Sequence, residues 1–238
     1  MKVYTCITPA FKGLLNDYFV PSMPPNLELI NHTIALQGQG DYLSEEWLEC
    51  INHKVHLILH SIQENPGEII IWSDVDIIFF ADPEPEIRQI FQDSRISIAM
   101  QHESKHNPYI NGGFLVIRCN KESEAFYQKL LELLPKFFPE EHEQDVMNKM
   151  LHSPEYKFDI GWTHLPWSFS ARSHGWPPPR NLTMYHANYT SGKDGLGQKL
   201  KQFKEIRWIQ KYGIPAIILT SIPKVPNRIK RWLGLKKV

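Results

Sequence analysis

The segment Glu68–Pro83, EIIIWSDVDIIFFADP, constrains this chain most. Ile69, Ile70, Ile71 and Trp72 form an unbroken apolar run behind an Asn65-Pro66-Gly67 turn signal. Such a run marks a strand covered on both faces, in a parallel or mixed sheet beneath helices. Asp74 and Asp76 follow, and the chain then resumes as Ile77, Ile78, Phe79 and Phe80. Ionised carboxylates are almost never buried without a partner. Two positions apart on extended backbone, both point to one side. They repel each other unless a cation lies between them, and a divalent metal, with its preference for hard oxygen ligands, is the simplest one. Flanks this apolar argue against a solvated acidic turn.

At 238 residues the chain is long enough for one sizeable core, and one α/β domain is expected. No apolar run reaches the roughly 18 residues of a membrane span. Val3–Ile7 reads as the first strand, so no signal peptide is expected ahead of it. Cys6, Cys50 and Cys119 are an odd number placed in apolar segments. They read as buried free thiols in a reducing, cytoplasmic compartment. Net charge is zero but unevenly spread: after Glu205 there are no acids and eight Lys or Arg.

Lys2–Thr8 predicts a strand, and Phe11, Leu14, Leu15, Tyr18 and Phe19 a helix after it. A second strand is expected near Leu27–Asn31. Ser44 is a good N-cap for a helix whose apolar face runs from Trp47 through Val55 to Ile62. Asp82-Pro83 opens a short helix to about Phe91. Strands follow at Ile96–Met100 and Phe114–Ile117, with a polar loop at His102–Tyr109. Asn120 caps a helix over Lys121–Leu134, and Glu143 opens another ending near Leu151. Phe158–Trp162 and Leu182–Tyr185 read as further strands. Between them an aromatic, proline-rich stretch suits a rigid loop over a cleft. The last long helix is expected at about Leu196–Tyr212.

Four fragments in order resemble retaining nucleotide-sugar glycosyltransferases of the GT-A type, the superfamily of glycogenin and the bacterial lipooligosaccharide galactosyltransferases. They are Ser73-Asp74-Val75-Asp76, Asn111-Gly112-Gly113, Glu143-Gln144-Asp145 and His186 followed by Gly192-Lys193. The resemblance implies one GT-A (Rossmann-like) domain over 1–212, with a central mixed, mostly parallel sheet flanked by helices. It implies a donor that is a nucleotide diphosphate sugar, UDP in particular, and a hydroxyl acceptor on a saccharide or glycolipid, with retention. Asp74, Asp76 and His186 are the implied ligands of Mn2+ or Mg2+. Thr8, Lys54, Ser73, Asp74, Asn111, Gly112, Glu143, Gly192 and Lys193 are the implied donor contacts. The family's interval from His to Lys is one residue shorter than the one here.

These residue types suit the chemistry. A departing diphosphate gathers negative charge, which a cation and a lysine stabilise. An imidazole ligand shifts preference from magnesium toward manganese. The anomeric carbon becomes electron-poor, and a carboxylate or amide oxygen can steady it, so Gln144 and Asp145 are the catalytic candidates. Taken singly, Gln144 and Asp145 read rather as an ordinary helix start and His186 as a hydrogen-bonded core histidine, and Asn111 reads equally as a turn residue. Trp162 and His164 are candidates for an acceptor groove, or simply for packing.

Residues 213–238 read as a basic tail. Val225, Ile229, Trp232 and Leu233 share one helical face among Arg228, Lys230, Arg231, Lys236 and Lys237. That suits peripheral contact with the inner face of an anionic membrane. With only this segment basic, no nucleic-acid partner is expected. The competing classes are a sugar-nucleotide or glycan-binding protein without turnover and a metal-dependent nucleotidyltransferase. The latter lacks a glycine-rich loop after strand one.

Overall fold

A computed structural model of the chain describes residues 1–35, 45–190 and 194–221. Its main sheet has six strands in the order β2-β1-β3-β6-β5-β7. These are β1 (Lys2–Ile7), β2 (Glu28–Thr33), β3 (Ile69–Ser73), β5 (Ile98–His102), β6 (Ile110–Arg118) and β7 (Trp162–His164). β1 pairs in parallel with β2 and β3, and β7 with β5, whereas β6 runs antiparallel to β3 and β5. The fold is therefore mixed α/β with a mostly parallel sheet, as expected. A second sheet, ordered β4-β9-β8, holds β4 (Ile77–Phe79), β8 (Phe169–Ala171) and β9 (Met184–His186).

The pleat of β3 divides the two cores. Ile70 and Trp72 face α1 (Glu45–Glu64), α3 (Lys121–Phe137) and α4 (Glu143–His152), joining Val55, Ile58, Phe126, Leu130, Val146 and Met150. Ile71 faces the other way, toward Leu14, Phe19, the second sheet and α5 (Gly195–Tyr212), which supplies Phe203 and Ile206. Trp72 and Tyr127 are fully covered. Covering an aliphatic side chain such as Ile70 or Ile71 contributes about 1.5–3 kcal/mol. The Asn120 side chain accepts from the Ser123 amide at 2.9 Å, which fixes the start of α3.

Several expectations shift. β2 runs two residues past Asn31. The helical stretch after β1 spans 9–22 and contains a π-helical turn at Leu15–Phe19. The strand expected at Phe158–Trp162 begins at Trp162, and the one expected at Leu182–Tyr185 ends at His186. Part of the aromatic stretch read as loop is β8. It is a strand because Phe169–Ala171 pairs with Met184–His186 and buries all three of its residues. Past Gly213 the chain continues as α6 (Ile214–Ser221). The short helix between β4 and β5 is α2 (Glu84–Ile90).

Candidate active site

β3 ends at Ser73, and the Asp74 amide still donates to the Gly113 carbonyl of β6 at 2.8 Å. The chain then crosses to the second sheet, where Ile77 lies opposite His186 and the Asp76 carbonyl accepts from the Ala187 amide at 2.8 Å. This crossing delivers both aspartates to one corner with the end of β9. One ligand atom from each of Asp74, Asp76 and His186 lies within 4.8 Å of the others. The corner opens on a cleft of about 510 Å3.

β5 and β6 lose register here. Met100 pairs with Leu115, but the next pair is Gln101 with Asn111. The irregularity leaves Gly112 and Gly113 without β5 partners, and side chains replace them. The Gly112 amide donates to Gln144 Oε1 and the Gly113 amide to Asn111 Oδ1, each at 2.9 Å. The Gly112 carbonyl accepts from Lys54 Nζ at 2.9 Å. A β-carbon on Gly113 would overlap the His186 ring, so glycine is required for that ring's position.

Lys54 also reaches Asp74 Oδ1 and Glu143 Oε1, each at 3.1 Å. Its three protons are thereby placed on protein acceptors. Burial works against its charge, but Asp74 and Glu143 outweigh burial and raise its pKa. Burial likewise opposes ionisation of Glu143, yet Lys54 and His142 hold its carboxyl at about 2. Asp76 is buried too, and Lys199 with His186 more than reverses that cost, holding its carboxyl well below the usual range. Lys199 Nζ of α5 ion-pairs with Asp76 Oδ2.

His186 Nδ1 lies 2.9 Å from Gln101 Oε1, and Gln101 Nε2 donates to the Phe169 carbonyl at 3.0 Å. The amide oxygen can only accept, so it selects the tautomer with the proton on Nδ1. Nε2 then turns its lone pair toward Asp76 Oδ1, 3.3 Å away. A lone pair facing a carboxylate oxygen needs a proton or a cation between them. Two carboxylates and one imidazole nitrogen therefore fit a divalent first-row cation.

Glu103 Oε2 accepts from Asn111 Nδ2 at 2.6 Å and from Gln144 Nε2 at 3.2 Å. Gln144, Asn111, Gly112, Glu143, Lys54 and Thr8 line the cleft with the cation ligands. Other expected site residues lie elsewhere. Asp145 does not reach the cleft: its Oδ2 accepts from the His142 amide at 3.2 Å and faces His142 Nε2 at 3.3 Å. Ser73 is buried, and its hydroxyl donates to the Asp74 carbonyl at 3.0 Å. Trp162 and His164 are on the edge strand β7, outside the cleft wall, and His164 stacks on His102 with ring centres 3.9 Å apart. Gly192 and Lys193 lie outside the described residues, as does the segment 222–238.

The profile of the nucleotide-diphospho-sugar transferase family matches residues 24–203, well over half of the chain. The chain belongs to that family. Among solved structures, a glycosyltransferase involved in the glycosylation of the major capsid of PBCV-1 is similar to this transferase. It is 14% identical with a TM-score of 0.54, over 85% of this chain and 98% of that one. GlyE of Streptococcus pneumoniae TIGR4 is 13% identical with a TM-score of 0.53, over 86% and 64%. An active-site mutant of LgtC is 11% identical with a TM-score of 0.52, over 87% and 95%. At these identities the likeness speaks for the fold. A search of curated protein sequences returns no match.

Four residues of the transferase's site carry little signal in the sequence. Gln101 is a lone polar residue after an apolar strand, and Glu103 lies in what reads as a loop. Lys199 is one of several lysines on α5, and His142 precedes the recognisable fragment. Only Gln101, polar and next to Ile98–Met100, could have been singled out by the rule that buried polar groups find partners.

Proposed function

We propose that this transferase moves a sugar from a UDP-sugar to a hydroxyl of a saccharide or lipid-linked saccharide, with Mn2+ or Mg2+ and with retention at the anomeric carbon. The observation that carries the reading is the convergence of Asp74, Asp76 and His186, with Lys199 beside them, at one end of the cleft. Those three side chains would hold the cation, and a divalent ion there supplies positive charge to a departing diphosphate. Lys199 is within reach to pair with a phosphate oxygen when it releases Asp76. Cys6, Ile7, Phe11, Cys50 and Ile51 give the cleft an apolar wall suited to the nucleoside. Glu103, Asn111 and Gln144 offer carboxylate and amide oxygens to sugar hydroxyls and to the electron-poor anomeric centre. Retention rests on the family resemblance.

A panel of sugar nucleotides tests the reading, with thermal shift and donor hydrolysis measured with and without manganese. The expected outcome is manganese-dependent stabilisation by UDP, hydrolysis of one UDP-sugar, and loss of both in Asp76→Ala. Binding of UDP with no sugar released from any donor would mark a binding protein. Turnover of a nucleoside triphosphate would mark a nucleotidyltransferase.

A further inference from the structure

Two lysines reach the acids of the cation corner, and they are held differently. Lys54 places its three protons on Asp74, Glu143 and the Gly112 carbonyl, and its side chain is 5% exposed. Lys199 is on α5, which Phe203 and Ile206 anchor in the core. The Gln202 amide, three residues on, donates to the Asn188 carbonyl at 3.0 Å. Residues three and four apart share a helix face, so these contacts turn Lys199 into the cleft, where its ammonium ion-pairs with Asp76 Oδ2. Its side chain is 17% exposed, and Asp76 is its ion-pair partner among the described residues. The flexible four-carbon stem can therefore carry the ammonium from Asp76 along the cleft.

The other oxygen of Asp76, Oδ1, faces His186 Nε2 at 3.3 Å. One carboxylate thus turns one oxygen to an ammonium and the other to the imidazole of the cation ligand set. Asp74, Asp76 and Glu143 bring three negative charges to this corner, Lys54 and Lys199 two positive ones, and His142 beside Glu143 can add a third. With charge already near balance, a divalent cation that binds alone makes the corner positive and is repelled by the Lys199 ammonium. A diphosphate restores the balance and offers the ammonium new oxygens.

We propose that Lys199 couples the cation to the nucleotide: it opposes a divalent cation that arrives alone, and it passes from Asp76 to a diphosphate oxygen when both ligands are bound. The handover rests on the function proposed above, and the opposition to a lone cation does not. By linkage, the factor by which UDP tightens manganese equals the factor by which manganese tightens UDP. Removing the ammonium raises the affinity for the lone cation and takes a contact from the nucleotide, so both changes lower that factor.

Manganese is titrated into the full chain with and without UDP, and the free ion is read from its electron paramagnetic resonance signal. Lys199→Met removes the charge. Lys199→Gln removes it too but can still donate to Asp76, so it serves where the methionine variant fails to fold. Lys199→Arg keeps the charge. Either neutral variant is expected to bind manganese alone about tenfold tighter than the wild type, and the factor by which UDP tightens manganese is expected to fall at least as far. Lys199→Arg is expected to stay close to the wild type with manganese alone. Unchanged or weaker binding of the lone ion by a folded neutral variant, or equal tightening in Lys199→Arg, overturns the proposal. Tighter binding of the lone ion with an unchanged UDP factor overturns the handover. If UDP changes neither the Tm nor the manganese affinity of the wild type, the donor reading fails, and the titration without UDP alone decides the opposition.

Discussion

A buried ammonium has three protons to place, and Lys54 places them on Asp74, Glu143 and the Gly112 carbonyl. It acts on the cleft by holding these groups in position. Lys54→Met would leave Asp74 without its ammonium and Glu143 with His142 alone, and breaking a buried pair costs about 3–5 kcal/mol. Denaturant unfolding should show that loss, and adding Glu143→Gln should return part of it. Glu143 also gives a pH signature. Its folded pKa of about 2 lies below the ordinary 4.5, so its contribution is present above pH 4.5. That contribution, about 3 kcal/mol, is lost as pH falls from 4.5 toward 2. His142 works in the opposite sense. Burial opposes its charge, but Glu143 and Asp145 raise its pKa above 6.5. Its contribution is complete below 6.5 and fades as pH rises through the folded value. The stabilising effect of the Glu143–His142 pair should therefore be greatest between about pH 4.5 and 6.5, and Glu143→Gln should flatten the acid limb.

The elements decide which of the recognisable residues meet. The register break between β5 and β6 aims the Gly112 and Gly113 amides at Gln144 and Asn111, and Gln101 in that break orients His186. Gln101→Ala should weaken manganese binding about 10–100-fold in a titration with UDP present, the usual cost of losing a group that orients a metal ligand. Gly113→Ala, which intrudes on the His186 ring itself, should weaken it at least as much. On α4 the neighbours Gln144 and Asp145 have different duties. Asp145 accepts from the His142 amide at the helix start, so Asp145→Ala should cost about 1 kcal/mol of stability. Gln144→Ala should instead lower the rate of sugar release, and it carries a stability cost of its own because the Gly112 amide loses its acceptor. Equal kinetic losses in both variants would contradict this division. Periodicity revealed β3, α1 and α3, because each buries a continuous apolar face. It could not reveal β8, three residues whose strand character comes from pairing with β9. The aspartate pair was legible because acids inside an apolar run demand a cation. Gln101 and Lys199 were not, because their roles arise only where distant elements cross. The Asp145 carboxylate was legible as a motif but not in its direction, which the helix start sets.

For the whole molecule, charge is balanced in total and separated along the chain. Past Glu205 every ionisable side chain except Tyr212 is Lys or Arg. Among the described residues no helix is long and apolar enough to cross a membrane. α6 nevertheless leaves Ile214 and Ile218 exposed, at 50% and 57%. It leads into 222–238, which holds six basic residues beside Val225, Ile229, Trp232 and Leu233. The sequence of this end of the chain suits an anionic membrane surface, an expectation that sedimentation with vesicles tests. Each Lys or Arg near such a surface contributes about 1 kcal/mol, and the attraction falls off within a Debye length. Two terms of different origin then act together. Apolar residues such as Ile214, Ile218 and Trp232 would supply a contribution that salt leaves alone, and the basic residues one that salt screens. Co-sedimentation should therefore show the full chain bound to phosphatidylserine vesicles at low salt and largely released at 1 M, where the Debye length is about 3 Å. A chain lacking 224–238 should stay in solution at both salt concentrations while keeping its manganese-dependent response to UDP. Equal sedimentation of the two forms would remove the tail from any account of how acceptor reaches the cleft.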